Sequence, residues 1–242
     1  MINVNEVYQT VLFILNKEQR GYITPAEFNS LAVQAQLTIF EKYFEDLNQA
    51  LRMPLNDSEY ASRVKSIEEK IDIFEAFGDL DAVKSLSTLD PKVHRLGTIE
   101  YNAIGKLPVE LEEMTKHDFN LAIRSQLTAP TFSFPAFFIS GENIRTAPTS
   151  IAGTDLTVYY VKKPADPIWG YKIGGVGEFI YNKLPYDAVT EPYGSVNFEI
   201  SSEDQVELVN TILTYCGIII RDPQIIQAAA GMVGQENQNE KS

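Results

Sequence analysis

The sequence holds a single cysteine, Cys216, and only two histidines, His94 and His117. One thiol excludes a disulfide framework, and this ligand supply is too small for a zinc cluster made by the chain alone. No window approaches the roughly 20 consecutive apolar residues of a membrane-spanning helix. The longest apolar run near the start, "VLFIL", is too short for a secretion signal and lacks a basic flank, so no membrane partner is expected. Basic residues are scarce as well, and the net charge is −13. Residues 1–80 carry a net −6, residues 81–176 balance, and residues 177–242 carry −7. No stretch offers the excess of Lys and Arg with which a nucleic-acid reader neutralises phosphates. An acidic balance serves solubility, and it also keeps a surface from sticking to passing DNA.

Catalytic motifs are missing too. There is no P-loop, no G-x-S-x-G and no H-E-x-x-H. Gly174-Gly175-Val176-Gly177 resembles half a dinucleotide loop, but the third glycine of the motif and the amphipathic helix after it are absent. His94 falls in an expected strand and His117 in the first turn of an expected helix, with no second histidine near either in sequence. Cys216 sits on an apolar helix face, where it reads as a small buried hydrophobe. The acidic pairs Glu68-Glu69, Glu112-Glu113 and Glu203-Asp204 read as exposed faces or helix first turns, where carboxylates complement the macrodipole. No catalytic, cofactor-binding or metal-ligating residue is assigned, and no cofactor is expected. A small enzyme would have to assemble its site from distant segments, for instance around His94 or His117.

The stretch "NKEQRGYITPAEF", residues 16–28, raises a different possibility. Its polar residues nearly overlay an EF-hand loop, with Asn16 at position 1, Glu18 at 3, Gly21 at the turn and Glu27 at 12. Position 5 needs an oxygen ligand and holds Arg20, a cation. Helix capping accounts for the same residues. Thr24-Pro25-Ala26-Glu27 reads as N-cap, Pro at N1 and Glu at N3, with Ile23 and Phe28 placed as a hydrophobic staple. Asn3, Glu6, Ile2 and Val7 repeat the device at the chain start. The stretch therefore reads as a helix hairpin, with a calcium-regulated module as the alternative.

Periodicity predicts three helices over residues 3–77. The first presents Val4, Val7, Tyr8, Val11, Leu12 and Leu15 on one face. The second runs from Thr24 until Met53-Pro54 stops it, about 28 residues or roughly 42 Å. It presents Phe28, Leu31, Ala32, Ala35, Ile39, Tyr43, Leu47 and Leu51. The third runs from Asp57 to Phe77 on a narrow seam of Tyr60, Val64, Ile67, Ile71 and Phe74, with Gly78 closing it. Beyond residue 80, Pro and Gly recur and short strands are expected at 93–101, 131–140, 143–148 and 155–164. Ser140-Gly141-Glu142-Asn143 reads as a hairpin turn. A short helix capped by Thr115, with Asp118 at N3, turns Phe119, Ala122 and Ile123 inward. Residues 165–198 read as an irregular arm, and the aromatics of "TFSFPAFF", "YY" and "PIWGYK" as interface candidates. Ser201 or Ser202 caps a helix with Val206, Val209, Leu213 and Cys216 on one face. A further short helix begins at Pro223, and at about 11 residues it is marginal alone in water. Residues 223–242 are accordingly expected to lie against another chain. The expected fold class is α+β: an N-terminal antiparallel helical bundle with a long central helix (1–80), a β-rich part of antiparallel strands with a short helix and an irregular arm (81–200), and C-terminal helices with an extended tail (201–242).

The order of these segments resembles a known family. The start, "VNEVYQTVLFILNKEQRGYITPAEFNSLAVQAQLTIFEKYFEDLNQ", resembles the opening of virion structural proteins of short-tailed, crAss-like bacteriophages. "TAPTFSFPAFFISGENIRTAP…DLTVYYVKKPADPIWGY" resembles their strand block, and "ISSEDQVELVNTILTYCGIIIRDPQIIQAAA" their closing helices. The family is the head-to-tail connector, or adaptor, group. The resemblance implies a non-enzymatic ring subunit, one of twelve, set in the virion neck between portal and tail. It implies contacts with the portal protein, a neighbouring connector ring and tail proteins, with genomic DNA passing through the channel without sequence-specific binding. Such a protein would be made in the host cytoplasm and end in the virion.

Overall fold

The computed structural model describes residues 1–17, 22–52, 57–102, 107–189, 192–220 and 231. The calcium-loop positions Glu18, Arg20 and Gly21, the Met53-Pro54 helix stop and the expected helix and tail over 223–242 (Gly231 apart) lie outside the described residues, as does the side chain of Tyr60. The chain is α+β, with five α-helices among the described residues and mostly antiparallel sheets. It divides into two compact units: Met1–Ile73 with Pro164–Ser242, and Phe74–Lys163.

The first unit is built on helices α1 (Val4–Lys17), α2 (Pro25–Arg52), α3 (Asp57–Asp72) and α5 (Gln205–Ile220). Their starts follow the expected capping chemistry. The Asn3 side-chain oxygen accepts from the amides of Asn5 and Glu6 at 2.8 and 3.4 Å. At α2 the Glu27 carboxylate accepts from the Thr24 amide at 2.9 Å, and the Glu27 amide donates to the Thr24 hydroxyl at 3.3 Å. Both staples are buried, Ile2 with Val7 and Ile23 with Phe28. α2 packs against α3 and α5, and α1 against α5. The α1 stripe is buried as expected at Val4, Val7, Tyr8, Val11 and Leu15, whereas Leu51 near the end of α2 and Val206 in α5 are exposed. In α5 the expected Val209, Leu213 and Cys216 are buried, joined by Leu208 and Ile212.

The second unit contains a four-stranded antiparallel sheet in the order β1-β7-β2-β3, formed by Glu75–Asp79, Leu156–Lys162, Val93–Tyr101 and Val109–Glu110. A second sheet joins β4 (Glu112–Glu113), β5 (Ala136–Ser140) and β6 (Asn143–Ala147), with β4 parallel to β5. Gly141, at φ 65, takes the left-handed first position of the two-residue turn between β5 and β6. Helix α4 (Lys116–Arg124) is capped by the Thr115 hydroxyl, which accepts from the Asp118 amide at 3.2 Å. Leu80, Ile99, Leu111, Phe137, Leu156 and Val158 belong to the core of this unit.

Several expectations are corrected. The third helix stops at Asp72, and Glu75–Asp79 forms a strand in place of its last turn, with Gly78 inside the strand. Its partner is β7, some eighty residues later, in the register Phe77↔Tyr159. A local seam cannot register such a pairing, and tertiary context overrides it. The strand belongs to the second compact unit, which begins at Phe74. The strand expected at 131–140 begins only at Ala136, because Thr131 and Phe134 exchange backbone hydrogen bonds in a turn and Pro135 has no amide to donate. In α4 only Phe119 is buried, and Ile123 is exposed. Residues 165–198 contain a hairpin, β8 (Tyr171–Ile173) with β9 (Phe179–Tyr181), and belong to the helical unit. Among the proposed interface aromatics, Phe137, Tyr160 and Trp169 are buried.

The Thr24 bonds, hydroxyl first and amide second, hold the Glu27 carboxyl below its ordinary range. A lowered carboxyl pKa contributes stability above the unfolded value, and that contribution disappears as the pH falls through the folded value. Thr24→Ala is expected to cost on the order of 1 kcal/mol in denaturant melts at neutral pH. The difference from wild type should shrink in acid; a difference that persists undiminished there would contradict the capping box.

Candidate assembly surface

Helix α2 carries two polar side chains that clamp the returning chain. Asn29 faces residue 169 as a backbone would: its side-chain oxygen accepts from the Trp169 amide at 2.8 Å, and its Nδ2 donates to the Trp169 carbonyl at 3.3 Å. Two helical turns on, roughly 10 Å along the axis, Gln36 is 1 % exposed. Its Nε2 donates to the Ala165 carbonyl at 2.7 Å and its oxygen accepts from the Glu199 amide at 3.0 Å. These contacts pair part-buried backbone groups that no helix or full strand satisfies.

Trp169 is the pivot. Its indole Nε1–H donates to the Asn5 side-chain oxygen at 3.0 Å. The ring centroid lies 4.4 Å from that of Tyr8, which in turn meets Phe28 at 4.7 Å. On the other side the indole stacks on Tyr171 and Tyr181, at 5.9 and 5.5 Å, and Tyr171 meets Phe179 edge-on at 5.1 Å. An aromatic ladder thus runs from the helical core into one face of the β8–β9 hairpin. Burial, with a smaller part from the Tyr22 hydroxyl, holds the Tyr8 phenol far above its ordinary range, so Tyr8 stays neutral.

The base of the hairpin is closed by backbone contacts. Asn182 donates from its amide to the Gly170 carbonyl at 2.8 Å and from Nδ2 to the Tyr193 carbonyl at 2.9 Å. A Cβ on Gly170 would run into the carbonyl oxygens of Tyr193 and Gly194, so only glycine fits there. Trp169, Gly170, Tyr171, Lys172 and Tyr193 line a cleft of about 450 Å³ beside Asn29. Farther out the character changes. Ile173, Ile180, Val189 and Tyr193 are exposed, and Val176 at the tip is 92 % exposed. These side chains, on the hairpin and the segment after it, leave apolar surface exposed to solvent.

A second polar cluster ties α5 and the 3-10 turn before it, Ser202–Asp204, to α2 and α3. The Asp204 carboxylate accepts from the Tyr43 hydroxyl at 2.5 Å and from Lys70 Nζ at 2.8 Å, while Lys42 and Glu207 pair at 2.8 Å. Burial first, and the Asp204 bond second, keep the Tyr43 phenol neutral. The Glu203-Asp204 pair therefore does not lie wholly on a solvated first turn: Glu203 is exposed, but Asp204 is buried and paired.

The other residues singled out from the sequence are not brought together. His94 and His117 are both exposed, and neither lines the cleft at Trp169. Cys216 is buried on α5, and burial pushes its thiol up to about 12, where it is inert at neutral pH. Gly174 and Gly177 form the reverse turn of the β8–β9 hairpin, with the Gly177 amide donating to the Gly174 carbonyl at 3.1 Å. No helix follows that turn, as a dinucleotide loop would require. The Glu27 carboxylate is engaged by Thr24. Among the described residues no three His, Cys, Asp or Glu side chains gather in a way that could hold a metal ion, and no helix is long and apolar enough to cross a membrane. Asn29 and Gln36 were missed by sequence reasoning. Gln36 sits between Ala32 and Ile39 on the apolar stripe of α2, and a polar residue there signals a buried partner. No family model and no curated protein matches the chain.

Trp169 is the only tryptophan, so its fluorescence reports on the clamp directly. Asn29→Ala is expected to red-shift the emission and destabilise by about 1–3 kcal/mol for each backbone group left unpaired. Gln36→Ala should destabilise similarly with little shift. An Asn29→Ala protein with wild-type emission would contradict the clamp.

Proposed function

We propose that this protein is a non-enzymatic structural subunit of a bacteriophage head-to-tail connector, forming a ring of about twelve copies in the virion neck between portal and tail. Its helical part is read as an antiparallel bundle about the long α2, which positions the β8–β9 arm for contact with a neighbouring subunit. The observation that carries this reading is the arm itself. A two-stranded hairpin is marginal in water, yet this one is rooted by stacked aromatics and ends in exposed Ile173, Val176 and Ile180. Covering such side chains at a subunit contact contributes about 1.5–3 kcal/mol each, which repays the exposure. The resemblance to connector proteins over most of the chain supplies the kind of assembly. The net charge of −13 suits a ring through which DNA slides without being held. Partners in this reading are further copies of the chain, the portal, an adjacent connector ring and tail proteins.

Native mass spectrometry, with and without portal protein, tests the proposal. The wild-type chain is expected to form a closed ring, alone or on the portal. The double variant Ile173→Lys, Val176→Lys should keep wild-type circular dichroism and remain monomeric. A wild-type protein that stays monomeric even with portal, or a double variant that assembles normally, would overturn it.

A further inference from the structure

The second unit holds a cleft of about 490 Å³ between the residues preceding the first 3-10 turn, strand β6 and the loop after it. Lys84, Arg145, Thr146, Thr149 and Thr154 line it, and none of its lining residues is acidic. Lys84 is unusual in its backbone. It has φ 60, the one non-glycine in the left-handed region among the described residues. It is held there from three directions: its amide donates to the Asp81 carbonyl at 3.0 Å, its carbonyl accepts from the Ile144 amide at 2.9 Å, and its Nζ donates to the Thr146 hydroxyl at 2.6 Å. Glycine would adopt this backbone without strain, so a lysine kept at such a position points to a use for the ammonium. Arg145, the neighbour of Thr146 on β6, also lines the cleft, and neither cation forms an ion pair among the described residues. Desolvation first, and the Arg145 charge second, lower the Lys84 pKa. Thr146 is buried and accepts from Lys84, which leaves its own hydroxyl proton free to donate onward.

We infer that this cleft binds a phosphate-type oxyanion, with Lys84 and Arg145 supplying charge and the threonine hydroxyls donating to the remaining oxygens. An ammonium and a guanidinium flanked by hydroxyls match the many acceptor sites of a tetrahedral oxyanion. At about 490 Å³ the cleft is sized for a small ligand rather than for a duplex.

Line broadening of inorganic phosphate in phosphorus NMR, with the full chain at constant ionic strength, tests the site. Wild-type protein is expected to broaden the signal, and Lys84→Gly and Arg145→Gln to weaken binding by roughly tenfold or more. Lys84→Gly suits the left-handed backbone, so its melting temperature should match or exceed that of wild type, and loss of binding would not reflect unfolding. A short DNA duplex should fail to displace the phosphate. No broadening by wild type, equal broadening by Lys84→Gly, or displacement by the duplex would each overturn the inference.

Discussion

The placement of Trp169 is the constraint on which the first unit depends. This one residue is held through its backbone by Asn29, through its indole nitrogen by Asn5, and through its ring by Tyr8, Tyr171 and Tyr181. The residues involved come from α1, α2 and the hairpin, so the contacts join distant parts of the sequence. Fixing a tryptophan this way costs little conformational entropy, since the ring has two rotatable bonds, and it buries a large apolar area. Without it, β8 and β9 would be a short hairpin with few reasons to stay formed. With it, the hairpin holds its exposed side chains at a fixed place on the unit.

The polar contacts have a second consequence. Gln36 and Asn29 present amides, which donate and accept at once, to backbone groups of residues that are neither helical nor in a full sheet. A segment such as 165–169 can then run beside a helix with its backbone polar groups satisfied. Replacing an amide by an apolar residue would leave a part-buried donor and acceptor without their partners. The Asp204 cluster follows the same rule with charge. Tyr43 and Lys70 compensate a carboxylate that would be costly to bury alone.

Much of the helical architecture was legible in the sequence, because its signals are local. Thr24 and Glu27 are three residues apart, as are Thr115 and Asp118, and each pair caps the helix it announces. The Gly141 turn is legible for the same reason. What was hidden depends on partners far away in the chain. Phe74 and Phe77 continue an apolar seam, yet Phe77 pairs with Tyr159 and stands on an exposed sheet face. Asp204 reads as a first-turn carboxylate until Tyr43 and Lys70 arrive from residues 134 or more earlier. Lys84 carries no sequence signal at all, since its strain lies in a backbone angle that only the fold imposes. The arm is intermediate: its glycines and aromatics were visible, but they looked like an irregular loop because the stacking that orders it begins at Tyr8.

Amide hydrogen exchange in dilute protein and under conditions for the proposed ring assembly tests the central claim most directly. The account predicts that residues 171–181, Val189 and Tyr193 are more protected in the proposed ring than in dilute protein, while the buried core of α2 is protected equally in both. Unchanged exchange in the arm on assembly, with new protection confined to other surfaces, would contradict it.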